Sequence, residues 1–207
     1  MSDWLDELEA DEEAERVYER RDRSVNKYGG SGEKEDRDGA CTPKWIADAL
    51  GRFDLDPCSN DRSHISAHHC VCLSVEGSNG LPEPGVDSRW LGAGTYWWAH
   101  DLCQAGKHTD TFCNPPYARG QVIRWARHYS HTNFTFLLRW DVRTKWFAEL
   151  FPKCWGFWFP RKCEFEPPPG VTFSSNPYPH ALYFRDRPKP DRYARLSAAD
   201  GYFVTRS

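Results

Sequence analysis

The stretch Thr109–Trp140, TDTFCNPPYARGQVIRWARHYSHTNFTFLLRW, decides the fold. DTFC is a short β-prone run that stops at Asn114-Pro115-Pro116, because two prolines remove the ladder donors a strand needs. RGQVIRWARHY then places Val122, Trp125 and Ala126 on one face of a helix. FTFLLRW is a nearly uninterrupted apolar run, the pattern of a strand buried on both faces. Strand, loop, helix, strand is a parallel crossover unit, so the stretch predicts an α/β fold with a mostly parallel sheet.

Working outward, CTPKWIADALGR has Thr42 placed as a helix N-cap and Pro43 at the first helical position. Trp45, Ile46, Ala49 and Leu50 follow at helical spacing, with Gly51 as the stop. FDLDPCSND reads as a short strand, Phe53 and Leu55 alternating with acids, that ends in a turn at Pro57. Residues 61–105, rich in His, Gly and Trp, show no clear period. TKWFAELF predicts a further helix, and CWGFWF with HALYFRD predicts an antiparallel β pair at the C-terminal end, separated by a long Pro-rich connection. No internal repeat is present.

The N-terminal part differs in kind. Residues 1–40 hold fourteen acidic against seven basic side chains, which leaves sixteen acidic and twenty basic in the rest of the chain. Residues 1–24 carry too few apolar positions to bury a helix, and NKYGGSGEKEDRDG reads as a charged Gly/Ser linker. The expected division is therefore a charged, disordered arm and linker over 1–40 and one domain over 41–207. The body is mildly basic, which is compatible with an anionic partner.

No run of about 18 apolar residues offers a membrane span. The acidic start MSDWLDELEADEEAER lacks the basic and then apolar pattern of a signal peptide. The expectation is a soluble cytoplasmic protein, in which the eight cysteines are reduced thiols rather than a disulfide framework. The abundant aromatic residues serve either a core or base stacking.

Ligands of open α/β sheets sit outside the carboxyl ends of the strands, where both DPCS and NPPY fall. Asn-Pro-Pro by itself is a rigid surface turn. The four-residue pattern, allowing Asp or Ser first and another aromatic last, should arise by accident in well under about 1 in 50 chains of this length. The chemistry that wants these groups is attack by a planar exocyclic amine, whose lone pair is delocalised into its ring. Acceptors on both N–H bonds draw the nitrogen toward tetrahedral geometry and localise that pair. The Asn114 side-chain oxygen and the Pro115 carbonyl supply two acceptors. Prolines pre-position them, and Tyr117 offers a face on which a flipped base stacks.

Taken in order, TPKWIADAL, FDLDPCS, the Gly80-Leu81 pair, CNPPYARG, FLLRWDVRTKWF, GFWFPRKCEF and HALYF resemble a family. It is that of the S-adenosylmethionine-dependent DNA amino-methyltransferases, in particular the small phage-encoded N6-adenine enzymes. The resemblance spans roughly residues 41–185. It implies a Rossmann-like methyltransferase fold and double-stranded DNA as partner. Asn114, Pro115, Pro116 and Tyr117 would form the catalytic loop, and Thr42 and Pro43 the motif that helps close the cofactor pocket. Asp56, Pro57 and Cys58 would lie at the methionine and ribose part of the cofactor, and Asp101 would contact its adenine amine. One departure is that DPCSN lacks the Gly-x-Gly-like turn many methyltransferases carry after that Asp.

Arg139, Arg143 and Lys145, beside Trp140 and Trp146, suit a loop that grips phosphate or a displaced strand. The segment 83–108 is longer than the family pattern and is placed to contribute to target recognition. Other readings stay open on the residues alone. The same four-residue motif serves methylation of cytosine N4 and of a glutamine amide. HISAHHCVC offers His64, His68, His69, Cys70 and Cys72 as zinc ligands for a nucleic-acid-binding module, with His100, Cys103, His108 and Cys113 further on, although its spacing fits no pair of C-x2-C knuckles. No metal is assigned. A copy that binds DNA without catalysis is opposed by the intact Asn114 and Tyr117.

Overall fold

A computed structural model describes residues 40–72, 109–117, 121–170 and 178–206, with backbone alone at 71 and 72. The N-terminal arm and linker, the Gly80-Leu81 pair, the 83–108 segment and Asp101 lie outside the described residues. The elements are α1 (Lys44–Leu50), β1 (Arg52–Ser59), β2 (Ser66–Cys72), β3 (Asp110–Cys113), α2 (Gln121–Tyr129) and β4 (Asn133–Arg139). They are followed by α3 (Lys145–Leu150), a 3-10 turn (Phe151–Lys153), β5 (Gly156–Pro160), β6 (His180–Phe184), α4 (Pro190–Ala198) and β7 (Gly201–Thr205). The fold is α/β, built on one seven-stranded mixed sheet in the order β2-β1-β3-β4-β6-β5-β7.

β2, β1, β3 and β4 run parallel, and β3–α2–β4 is the crossover unit the sequence predicts. β5 and β6 pair antiparallel as expected, but β6 is inserted between β4 and β5. α4 and β7, which no sequence pattern announced, then extend the sheet beyond β5. Helices cover both faces because the strands alternate. Phe134, Phe136, Leu138, Phe157 and Tyr183 pack with α2 and α3 on one side. Phe112, Leu137, Trp158, Leu182 and Phe184 pack with α1 and α4 on the other. Most of the aromatic residues described are core, which answers one of the two uses their abundance allows.

Two local expectations are corrected, and one connection departs from the ordinary rule. Pro57 does not end β1: the strand continues to Ser59, and its register against β2 shifts between Asp56 and Ser59. A proline is tolerated there because an irregularity leaves its missing donor without a ladder partner to fail. β1 and β2 are parallel although only residues 60–65 join them, where a crossover ordinarily takes about a dozen residues. A turn closes the link, with Ser63 N–H donating to Asn60 O at 3.1 Å and Arg62 N–H to Asn60 Oδ1 at 2.9 Å.

Nor is Thr42 the cap of α1: the helix begins at Lys44, and Pro43 stands at the N-cap with no side-chain bond. The exposed Lys44 N–H donates instead to Glu166 Oε1 at 3.1 Å, and an isolated antiparallel bridge ties Cys41 to Glu166. A carboxylate 122 positions away in sequence does the work assigned to the local hydroxyl. Gly51 does stop α1, with φ at 70°, and a Cβ there would collide with the Arg195 guanidinium.

No helix among the described residues is long and apolar enough to cross a membrane.

Candidate functional site

Strand order makes the site. From β1 the chain moves to β2 on one side and later to β3 on the other. The carboxyl ends of β1 and β3 therefore flank a topological switch point, where an open sheet leaves a crevice. Asp56, Pro57, Cys58 and Ser59 close β1, and Asn114 follows β3 directly. The Cys58 and Cys113 sulfurs, 3.3 Å apart, join the two strand ends. Burial pushes both thiols up, so they stand as protonated packing groups.

At this switch point Asn114 Nδ2 donates to the hydroxyl of the buried Thr42 at 3.3 Å. The amide is thereby anchored by its donor half. Its acceptor half, Oδ1, is shielded from solvent and has no hydrogen-bond partner among the described residues. A buried acceptor left without a donor costs about 1–3 kcal/mol, so this atom is unsatisfied at the expense of stability. A ligand N–H would complete it.

Asp56 is a second such group. Its side chain is 2% exposed and accepts from Cys58 N–H at 3.2 Å, with the Cys58 thiol and Ser59 as its other contacts. Desolvation raises its pKa to about 7, because no cation among the described residues faces it. Pro57 and Cys58 share this strand end, and Pro43 is buried beside Thr42.

Tyr117 is turned into the sheet: its hydroxyl donates to the Leu137 carbonyl at 3.0 Å, and burial pushes its pKa up. Its ring meets the edge of His180 at 6.1 Å between centroids, and the Arg139 guanidinium lies 5.5 Å from its centre. His180 is buried, donates Nδ1–H to the Tyr178 carbonyl at 3.0 Å, and is pushed down by desolvation to about 4. It is therefore a neutral prop for Tyr117 at any physiological pH. The sequence pattern did not single it out, since the only signal was a polar residue opening an otherwise apolar strand.

The basic segment after β4 divides. Arg139, the last residue of that strand, belongs to the Tyr117 cluster. Arg143 is exposed and holds Asp141 through Nε at 2.9 Å and Nη2 at 3.1 Å, which lowers the Asp141 pKa. Lys145 opens α3 on the outside. Of the flanking tryptophans, Trp146 is core and Trp140 is half-buried against it. Trp140 contacts Phe147, Phe157 and Phe159 at about 5 Å, and Trp146 is 2% exposed.

The His/Cys segment lies on β2 and the link before it. His64 Nε2 sits 2.7 Å from Glu166 Oε2, and His68 Nδ1 2.9 Å from Arg52 Nη2. Among the described residues no three His, Cys, Asp or Glu side chains converge as metal ligands would. Cys113 is the Cys58 partner on β3, the Cys72 side chain and His100, Cys103 and His108 lie outside the described residues, and so does Asp101.

Among known proteins, no family model, no curated protein and no solved structure matches this chain.

Proposed function

We propose that this chain is an S-adenosylmethionine-dependent methyltransferase of Rossmann-like fold, acting on the exocyclic N6 of adenine in DNA. The observation that carries the reading is Asn114 Oδ1, a shielded acceptor with no partner beside the switch-point crevice. With Nδ2 held by Thr42, Oδ1 is pre-set to accept one hydrogen of an amine. The Pro115 carbonyl accepts the other, and the rigid Pro115-Pro116 pair keeps the two acceptors in place. Together they draw the amine nitrogen out of conjugation as it attacks.

The crevice suits the methyl donor as well. A buried carboxylate without a cation partner favours a ligand that brings an ammonium group, and Asp56 has no cation partner among the described residues. Asp56, Pro57 and Cys58 would hold the methionine part, with Thr42 and Pro43 closing over it. When bound, S-adenosylmethionine supplies an electrophilic methyl group on a sulfonium. Asn114 and the Pro115 carbonyl orient the attacking amine toward it; neither is basic, and the proton shed after transfer passes to solvent. Tyr117, locked by its bond to Leu137 and propped by His180, supplies the aromatic wall of the acceptor pocket. A flipped base is the acceptor that suits such a wall.

The test is nucleoside mass spectrometry on DNA from a methylation-free bacterial host expressing the chain, beside Asn114→Ala. N6-methyladenine from the parent alone is the expected result. N4-methylcytosine would overturn the choice of base. Soluble protein that binds S-adenosylmethionine yet leaves no methylated base would overturn DNA as acceptor and point to a glutamine amide.

A further inference from the structure

We propose that Arg139 binds the phosphate of the flipped nucleotide, so that the acceptor pocket takes a nucleotide rather than a bare amide. The inference rests on the preceding reading of Asn114 and extends it to substrate class. Cys113 pairs with Phe136 across β3 and β4, so the Asn114 loop runs beside the last residues of β4. Tyr117 reaches over to the Leu137 carbonyl and brings its ring against Arg139, two residues further on.

The guanidinium lies between two aromatic rings, 5.5 Å from Tyr117 and 5.1 Å from Tyr178. It makes no ion pair or hydrogen bond among the described residues, and its Nε is shielded and unpartnered. Other arginines of the domain show what such a group takes when the fold supplies it: Arg192 holds Asp110, Arg127 holds Glu149 and Arg195 holds Asp191. Asp141, whose pKa Arg139 helps to lower, is taken up by Arg143. A half-buried guanidinium with no hydrogen-bonded anion among the described residues is costly, and its planar fork of donors matches a phosphate in two bonds.

The two unsatisfied atoms at this end of the sheet have opposite needs. Asn114 Oδ1 lacks a donor, and Arg139 Nε lacks an acceptor. An adenine nucleotide brings both, an amino N–H at one end and a phosphate at the other, with a base between them to lie against Tyr117. A glutamine side chain brings the N–H but no anion.

The purified full chain, saturated with S-adenosylhomocysteine to fill the cofactor crevice, is titrated with deoxyadenosine and with deoxyadenosine monophosphate, as either ester. The expected result is that the monophosphate binds roughly tenfold tighter than the nucleoside, the scale of one charge-assisted contact. In Arg139→Met the ratio falls to about one. In Arg139→Lys, which keeps the charge without the fork, it is intermediate, and this variant reads the contact even where the methionine variant does not fold. A parent without preference for the phosphate, or a preference that persists in Arg139→Met, would overturn the proposal. Failure of the Asn114 reading looks different: no methylated base in host DNA and equal nucleoside binding by Asn114→Ala, with the phosphate preference intact.

Discussion

The two ends of the sheet carry the same kinds of side chain in opposite conditions. At the amino end Asp110 opens β3 with both carboxylate oxygens held by Arg192 at 3.0 Å and a third contact from Lys189. Arg192 also donates to the carbonyls of Leu50 and Arg52 at 2.7 Å and lies 3.9 Å over the Phe53 ring. At the carboxyl end, among the described residues, Asp56 has no cation facing it, Arg139 Nε no acceptor and Asn114 Oδ1 no donor. The buried ion pair at the amino end is completed by the fold, whereas Asn114 Oδ1 and Arg139 Nε are left for a ligand to complete. Among the described residues the one other buried side-chain N or O atom without a partner is the indole Nε1 of the core residue Trp158. Dissatisfaction at one end, against full satisfaction at the other, is the physical signature that locates the site.

The comparison breaks most visibly at the satisfied end. Arg192→Met leaves a buried carboxylate with only the exposed Lys189 as its partner, and should lower unfolding free energy by about 3–5 kcal/mol in urea titration. Asn114→Ala at the other end should leave that stability unchanged or slightly raised. It should lower kcat by on the order of a hundredfold to a thousandfold in a methyl-transfer assay, the cost of losing one pre-set polar contact in a transition state.

Asp56 ties the two measurements together through pH. Its folded pKa of about 7 lies above the unfolded value of 3.8, so the folded state binds the proton more tightly. The carboxyl's contribution is fully present below about pH 4 and is lost as pH rises through about 7. Asp56→Asn should therefore raise stability relative to the parent by up to a few kcal/mol at pH 8 and by little at pH 4, while weakening S-adenosylmethionine binding. A parent-minus-variant stability difference flat across that range would remove Asp56 from the unsatisfied set. Smallest of all, Tyr117→Phe loses one bond to the Leu137 carbonyl and should cost about 1 kcal/mol by thermal melt, with methyl transfer largely kept because the ring remains.

Much of this was legible locally. The β3–α2–β4 unit follows from two prolines, one amphipathic nonamer and one apolar run, because each element's period is written in consecutive residues. The strand-end positions of DPCS and NPPY follow from the same pattern. β2 was not legible, since its alternation of Ala, His and Cys carries no strong period. Nor were α4 and β7, whose short and largely exposed segments hide their two buried anchors, Arg192 and Leu196. A helix cap from Glu166 cannot be read near Lys44, because nothing within a turn of the helix announces it.

The sequence by itself determined the α/β class, the β3 crossover and the residue types at the two strand ends, all of which depend on neighbours a few positions apart. Tertiary structure alone decided which of those residues are complete. It moved the capping of α1 to Glu166, which leaves the Thr42 hydroxyl to hold Asn114. It separated Arg139 from the ion-paired Arg143, buried Trp146 in the core and packed Trp140 against it. The reason is that a hydrogen bond or an ion pair is fixed by distance in space, and its absence can be seen only once every neighbour is in place.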